Sequence, residues 1–336
     1  MADLEAVARA LVAPGKGILA ADESGGTIEK RFDAIGVEST EDTRRAYREL
    51  LFTTEGAAEH ISGVILFDET IRQRSSEGTS FPEVLERQGI IPGIKVDRGA
   101  KALALAPGEK VTEGLDGLRE RFAEYVELGA KFAKWRAVIA IGDGIPSEYC
   151  LWVNAHALAR YAALAQEAGL VPIVEPEVLM DGDHSIERAY HVTARMQHAV
   201  FTELHDQRVA LEGMLLKPNM VLSGYEARER AGVEEVARAT VKCLRHNVPA
   251  AVPGIVFLSG GQSDEDATAH LNAMNALGPQ PWELSFSYGR ALQAPAQKAW
   301  QGDPANVPAA QAAYLKRARL NGAARSAGYR AVDETR

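Results

Sequence analysis

Charged side chains stand at alternate positions inside otherwise apolar runs of this chain. In Phe132–Ile139 (FAKWRAVI), Lys134 and Arg136 share one set of alternate positions, while Ala133, Trp135 and Ala137 share the other. In Val171–Val178 (VPIVEPEV), Glu175 and Glu177 align with Ile173, opposite Val174 and Val178. The run 90–97 aligns Lys95 with Asp97, the run 211–220 aligns Lys217 with Gly213 and Leu215, and the run 17–22 aligns Asp22 with Ile18 and Ala20. In an extended strand, residues two apart share a face. If these runs are strands, one face carries Asp22, Asp97, Glu175 and Glu177 against Lys95, Lys134, Arg136 and Lys217. Enclosed charges must be paired, and this set balances. A single charge at a strand end is ordinarily a solvated rim position; the same choice in five runs asks for another explanation.

The preference for lysine narrows the chemistry. A purely structural ion cluster favours arginine, which stays charged and grips carboxylates in a fork. Only 11 of the 37 basic residues are lysines, yet Lys95, Lys134 and Lys217 all sit in the strand-like runs. Deprotonated lysine attacks a carbonyl and forms an imine, and the protonated imine stabilises a neighbouring carbanion. Burial and a second cation both disfavour the ammonium form. Lys217, beside Leu215, Leu216 and Pro218, is the expected nucleophile, with Lys134 as the neighbouring cation expected to lower its pKa.

Two further segments suit phosphate. One reads Leu258-Ser259-Gly260-Gly261-Gln262-Ser263, the other Ser287-Tyr288-Gly289-Arg290. Glycines let backbone N–H groups approach an anion, helix starts add partial positive charge, and arginine binds phosphate bidentately. Ser24, Gly25, Gly26, Lys30 and Arg31 form a candidate second anion site. Metal chemistry is the competing route to a carbanion. His184, His191, His198 and His205 recur every seven residues, about 10.5 Å along a helix, too far for one metal. They read as one helix stripe, and no metal or other cofactor is expected.

The elements that must position these groups follow from the pattern. Strand-like runs at 17–22, 63–68, 90–97, 132–139, 171–178, 211–220, 255–261 and 282–289 alternate with helical stretches at 41–60, 116–131, 147–168, 185–206, 233–246 and 263–277. Asp116 and Ser263 stand where N-caps belong, and Gly169 where a helix stops. Eight strand–helix units predict an α/β protein, a single (β/α)8 TIM barrel. The turn after the first run lacks the Gly-x-Gly-x-x-Gly of an open doubly wound sheet. A barrel's outer strand face lies under helices, so the charged face points inward, and its charges fall late in the strands, near the C-terminal mouth. The barrel is expected over residues 1–300, with 301–336 a helical segment and extended tail of the same domain.

Composition excludes other classes. Of 336 residues, 46% are apolar and 25% charged, typical of a globular protein rather than a disordered one. A net charge of −9 argues against a nucleic-acid partner. No 18-residue apolar run suggests a membrane span. Cys150 and Cys243 cannot build a disulfide framework and fit a reducing cytosol. No secretory or transit signal is apparent, so a cytoplasmic location is expected.

The motifs GKGILAADES, GVILFDET, GIKVDRG, GLDGL, FAKWR, VPIVEPEVL, LEGMLLKPNM, FLSGGQS and SFSYGRALQ, in this order from about Pro14 to Trp300, resemble the class I, Schiff-base-forming fructose-bisphosphate aldolases. The resemblance implies reversible cleavage of fructose 1,6-bisphosphate to dihydroxyacetone phosphate and glyceraldehyde 3-phosphate, in glycolysis and gluconeogenesis. It assigns the imine to Lys217, principal acid/base work to Glu175 with Glu177 beside it, the C4 hydroxyl proton to Asp22, and the positioned cation to Lys134 with Arg136 close by. Phosphates fall to Ser259, Gly260, Gly261, Ser287, Gly289 and Arg290, and, toward the other end, to Ser24, Arg31 and Lys95. Arg44 matches a further substrate-binding position. A homotetramer is also implied. Two alternatives remain at this stage: a lysine aldolase acting mainly on another sugar phosphate such as sedoheptulose bisphosphate, and a silent phosphosugar-binding protein. The muscle-type relatives end in a tyrosine; here Tyr329 precedes Arg330 through Arg336.

Overall fold

In a computed structural model of the chain, which describes residues 2–335, eight parallel strands close on themselves. They are β1 (Gly17–Ala21), β2 (Ile61–Leu66), β3 (Ile91–Lys95), β4 (Phe132–Ile139), β5 (Val171–Val178), β6 (Leu215–Leu216), β7 (Gly254–Phe257) and β8 (Glu283–Tyr288). The order around the barrel is β1-β8-β7-β6-β5-β4-β3-β2. Met1 and Arg336, the last residue of the expected tail, lie outside the described residues.

The alternation read from the sequence is what divides the core. Inside the barrel, Ile18, Ile65, Phe132, Ile173, Leu215 and Val256 pack with Leu4, Ala8 and Leu11 of the N-terminal helix, which plugs the bottom. Their sequence neighbours Leu19, Val64, Ala133, Val174, Leu216 and Ile255 belong to the outer core under the helices. Apolar side chains fill the lower interior, so the charged residues further along β1, β4, β5 and β6 are left at the C-terminal mouth. Glycine makes the filling possible. A Cβ on Gly63 or Gly93 would run into the ring of Phe132, so that ring occupies space only hydrogen-faced positions leave.

Helices start largely where capping chemistry allows. Ser147, Ser185 and Ser263 each accept an N–H of the first turn, and Gly169 stands just past the end of Glu148–Glu167 at φ 79°. Four expectations are corrected. Helix Leu118–Glu127 is preceded by Gly117 at φ 65°, so Asp116 lies one residue short of the cap. The stretch 41–60 ends as an α-helix at Phe52, and a short 3-10 turn covers Ala57–Glu59 after a left-handed Gly56. The run 211–220 contributes only Leu215–Leu216 as strand, because Leu211–Gly213 forms a 3-10 turn and Pro218 has no N–H to continue the ladder. His184 precedes the N-cap Ser185, so the histidine stripe on that helix has three members, all exposed.

One feature of the chain after β3 gave no advance signal. A hairpin, Ala100–Ala102 against Lys110–Thr112, follows β3. The C-terminal helix Val307–Ala324 packs along Arg290–Trp300 and Asp264–Ala276. The chain after it returns to these helices, where Glu334 pairs with buried Arg317 at 2.7 Å and accepts the Tyr329 hydroxyl at 3.0 Å.

Candidate active site

The charged strand positions converge on a cavity of about 720 Å³ at the mouth of the barrel. Parallel pairing lines them up: Lys95 is level with Lys134, Lys134 with Ile173, and Arg136 with Glu175. Lys217 comes one residue after β6 and keeps its place because its N–H donates to Val174 O at 2.8 Å. The following Pro-Asn holds the neighbouring strands. Pro218 O accepts Leu258 N–H, and Asn219 Oδ1 accepts Val178 N–H at 2.9 Å. The lysine is thereby fixed between β5 and β7.

Glu175 bridges the two buried lysines. Its Oε1 lies 3.2 Å from Lys217 Nζ and its Oε2 3.3 Å from Lys134 Nζ. Lys134 Nζ also lies 2.7 Å from Asp22 Oδ2. Lys134, Glu175 and Lys217 are each 3% exposed, so these are enclosed ion pairs rather than solvated ones. Burial by itself would lower the Lys134 pKa, but Asp22, Glu175 and Asp97 outweigh it and hold the ammonium well above its usual range. Burial likewise pushes the Asp22 carboxyl up, yet Lys134, Lys217 and Lys95 hold it well below the usual carboxylate range. The expectation for Lys134 is therefore refined. It is the fixed cation of the cluster, because carboxylates on both sides stabilise its charge more than Lys217 repels it.

Around this centre the remaining charges pair at the rim. Glu177 pairs with Arg136, and Lys95 with Asp97 at 2.9 Å. Ser259, Gly260, Gly261, Ser287, Gly289 and Arg290 line one wall, and Ser24, Arg31 and Lys95 line another. Gly260 at φ 58° and Gly261 at φ 87° adopt the left-handed backbone glycine favours. Ser287 Oγ is buried with no hydrogen-bond partner, and Arg290 is exposed with no ion pair among the described residues. A wall with an unsatisfied hydroxyl, an unpaired guanidinium and two consecutive left-handed glycines is suited to an anion.

Arg44 is not brought to the cavity. Its guanidinium donates to both oxygens of Glu69, at 2.8 and 2.6 Å, and to Ser39 O. Four residues that the sequence reading passed over matter instead. Glu23 is buried and binds Arg31, while Arg48 donates to it at 2.5 Å and Gln293 at 2.8 Å. Burial raises the Glu23 carboxyl, but Arg48 and Arg31 bring it below its ordinary value. It thus anchors Arg31 as a fixed cation. Strand alternation places Glu23 opposite Asp22, so its neighbourhood could have been anticipated; Arg48 and Gln293, from distant helices, could not. Tyr225 also lines the cavity, from a coil with no periodicity. Among the described residues, no group of three or more His, Cys, Asp or Glu is arranged to hold a metal ion.

Fold and site together define a (β/α)8-barrel protein with an enclosed lysine–carboxylate centre flanked by glycine-containing loops suited to an anion. The family model for fructose-bisphosphate aldolase class-I matches residues 3–336. The chain is 60% identical over 322 residues to a probable fructose-bisphosphate aldolase class 1 of Xanthomonas campestris, covering 96% of each. It is 56% identical to fructose-bisphosphate aldolase 4, cytosolic, of Arabidopsis thaliana, over 94% of this chain and 81% of that one. A solved fructose-bisphosphate aldolase from Plasmodium falciparum, crystallised with TRAP and a small-molecule inhibitor, superimposes with a TM-score of 0.97 at 50% identity, covering 98% and 95% of the two chains. The chain belongs to the class I fructose-bisphosphate aldolase family, and it is a lyase.

Proposed function

We propose that the chain cleaves fructose 1,6-bisphosphate reversibly to dihydroxyacetone phosphate and glyceraldehyde 3-phosphate through an imine on Lys217. The observation that carries this reading is the buried chain Lys217–Glu175–Lys134–Asp22, in which every link is 3.3 Å or shorter. Lys217 Nζ, as the free amine, attacks the C2 carbonyl. Glu175, 3.2 Å away, passes the proton the nitrogen sheds to the C2 oxygen, giving the carbinolamine; reprotonated from solvent, it then gives a second proton to the carbinolamine hydroxyl, which leaves as water and yields the protonated imine. Asp22 then accepts the C4 hydroxyl proton. The C3–C4 pair flows into the protonated imine as the aldehyde departs. Protonation of the resulting enamine at C3, and hydrolysis of the imine, release the ketone product. Glu177, held by Arg136, lies beside Glu175 on the same strand face. Lys134 holds both working carboxylates in place.

Strand order supports one placing of the phosphates. Lys217 follows β6, whose neighbour β7 leads into Ser259–Gly261, with β8 and its Ser287–Arg290 segment next. C1 is bonded to the attacked C2, so the C1 phosphate belongs on this wall and the C6 phosphate on the farther Ser24, Arg31 and Lys95. Arg44, engaged by Glu69, is assigned no contact with substrate. The segment 301–336 acts as part of the barrel domain. The enzyme works without metal, in the cytoplasm and in glycolysis and gluconeogenesis, and assembles as a homotetramer; family resemblance and the relative named cytosolic support these points.

Borohydride reduction in the presence of dihydroxyacetone phosphate tests the reading. The expected adduct maps by peptide mass to Lys217, is absent in Lys217→Ala, and forms equally in EDTA. Turnover without any adduct, or an adduct on another lysine, refutes it.

A further inference from the structure

The Gly260–Gly261 peptide carries an ambiguity that the fold must resolve. Both residues are left-handed glycines, so steric exclusion does little to choose between the two faces of the peptide that joins them. One face offers an N–H to an anion, the other a carbonyl oxygen that would repel it. The two groups of a trans peptide point in opposite directions, so fixing one fixes the other.

Tyr225 makes the choice. Its hydroxyl donates to Gly260 O at 2.9 Å and lies 3.3 Å from Met180 Sδ. The ring is held in turn: its own N–H donates to Met180 O at 2.9 Å, and the Arg230 guanidinium lies 5.4 Å from its centroid. Burial pushes the phenol up to about 12, so the hydroxyl keeps its proton at neutral pH. A Cβ on Gly261 would lie 3.7 Å from this hydroxyl and 3.4 Å from Arg290 Nη1, so the phenol and the guanidinium both lie close to this one residue. Neither the Gly260 nor the Gly261 N–H donates to another group among the described residues. Tyr329 has no such position. Its hydroxyl is taken by Glu334 and its N–H by Asn272 Oδ1 at 2.9 Å.

We propose that Tyr225 is a positioning residue for the C1-phosphate site: by holding the Gly260 carbonyl it presents the Gly261 N–H to the phosphate, and so sets phosphate affinity rather than the rate of chemistry at Lys217. The inference rests on the reading that phosphate occupies this wall.

Tyr225→Phe keeps the ring and removes only the donor. One oriented hydrogen bond corresponds to about a fivefold to tenfold effect on binding. KM for fructose 1,6-bisphosphate and for fructose 1-phosphate should therefore rise together by that factor, with kcat within about twofold. The inhibition constant for inorganic phosphate should rise in parallel, and Tyr329→Phe should move none of the three. Unchanged KM and inhibition constants overturn the proposal, as does a fall in kcat at unchanged KM. A rise for the bisphosphate but not for the 1-phosphate also overturns it, by moving Tyr225 to the other phosphate. Failure to trap Lys217 with borohydride would defeat the aldolase reading yet leave the phosphate comparison able to judge Tyr225. Absence of any phosphate inhibition of the unmodified enzyme would overturn the inference outright.

Discussion

Replacing Lys134 with methionine removes the cation that, among the described residues, touches both Asp22 and Glu175, while nearly preserving side-chain volume. Lys134 and Lys217 face Asp22 and Glu175, two charges against two; after Lys134→Met, Lys217 alone faces both carboxylates. The lost contacts, at 2.7 and 3.3 Å, correspond to about 6 and about 5 kcal/mol of Coulomb energy at an effective dielectric near 20, before the solvation Lys134 itself regains. Measured losses on orphaning a buried charge run at about 3–5 kcal/mol, and Asp22 still meets the open cavity, so about 3 kcal/mol is expected at pH 7. The sign with pH follows from the two shifts. The depressed Asp22 carboxyl contributes stability that is present above its ordinary 3.8 and is lost as pH falls below it. The raised Lys134 ammonium contributes stability that is fully present below its ordinary 10.5 and is lost as pH climbs beyond. In the variant the Asp22 carboxyl moves up toward its ordinary value, so the deficit holds down to about pH 4 and shrinks as pH falls below 3.8. Urea unfolding of both proteins at pH 7.0, 4.5 and 3.0 reads this directly, and kcat should fall about 10²–10⁴-fold as proton transfer loses its fixed partners. Equal stability at pH 7, or a deficit that stays constant down to pH 3.0, would refute the reasoning.

Arg44→Ala should leave kcat/KM within about threefold and cost less than about 1 kcal/mol, because it removes only the part-exposed pair with Glu69. Arg31→Ala, which strips the cavity of a cation anchored by Glu23, should lower kcat/KM at least about tenfold; the opposite ranking in steady-state assays would restore Arg44 to the site. His270 braces the anion loop through Gln262, which it meets at 2.6 Å, and burial lowers its pKa from 6.5 to about 4. A depressed imidazole contributes stability above its ordinary pKa that is lost as pH falls, here about 3 kcal/mol between pH 6.5 and 4. His270→Gln should flatten that acid limb in urea titrations, and an unchanged limb would show that His270 is not its source.

Much of the barrel was legible because two periodicities coincide in each unit. Alternation in strands such as Val171–Val178 separates Ile173 from Val174, and the structure places them in the inner and outer core respectively. Boundaries were less legible where a backbone detail overrode the pattern. Pro218 and the 3-10 turn at Leu211–Gly213 cut a ten-residue run to a two-residue strand, and left-handed Gly117 moved a helix start away from Asp116. The inward charges Lys134, Glu175 and Lys217 were visible from their registers alone. The pairing among them was not, since register says which face a residue takes and nothing of how far its side chain reaches.

The sequence by itself determined the closed parallel barrel, the inward direction of its charges and their crowding at one end, because these follow from period-two patterning and from the ends of strands. Tertiary structure alone decided that Glu175 stands between two lysines, that Glu23 is clamped by Arg48 and Gln293, that Arg44 turns to Glu69, and that Tyr225 reaches Gly260. Each of those is a meeting of side chains far apart in the chain. Its geometry depends on strand stagger, loop path and rotamer together, and no local spacing encodes that sum.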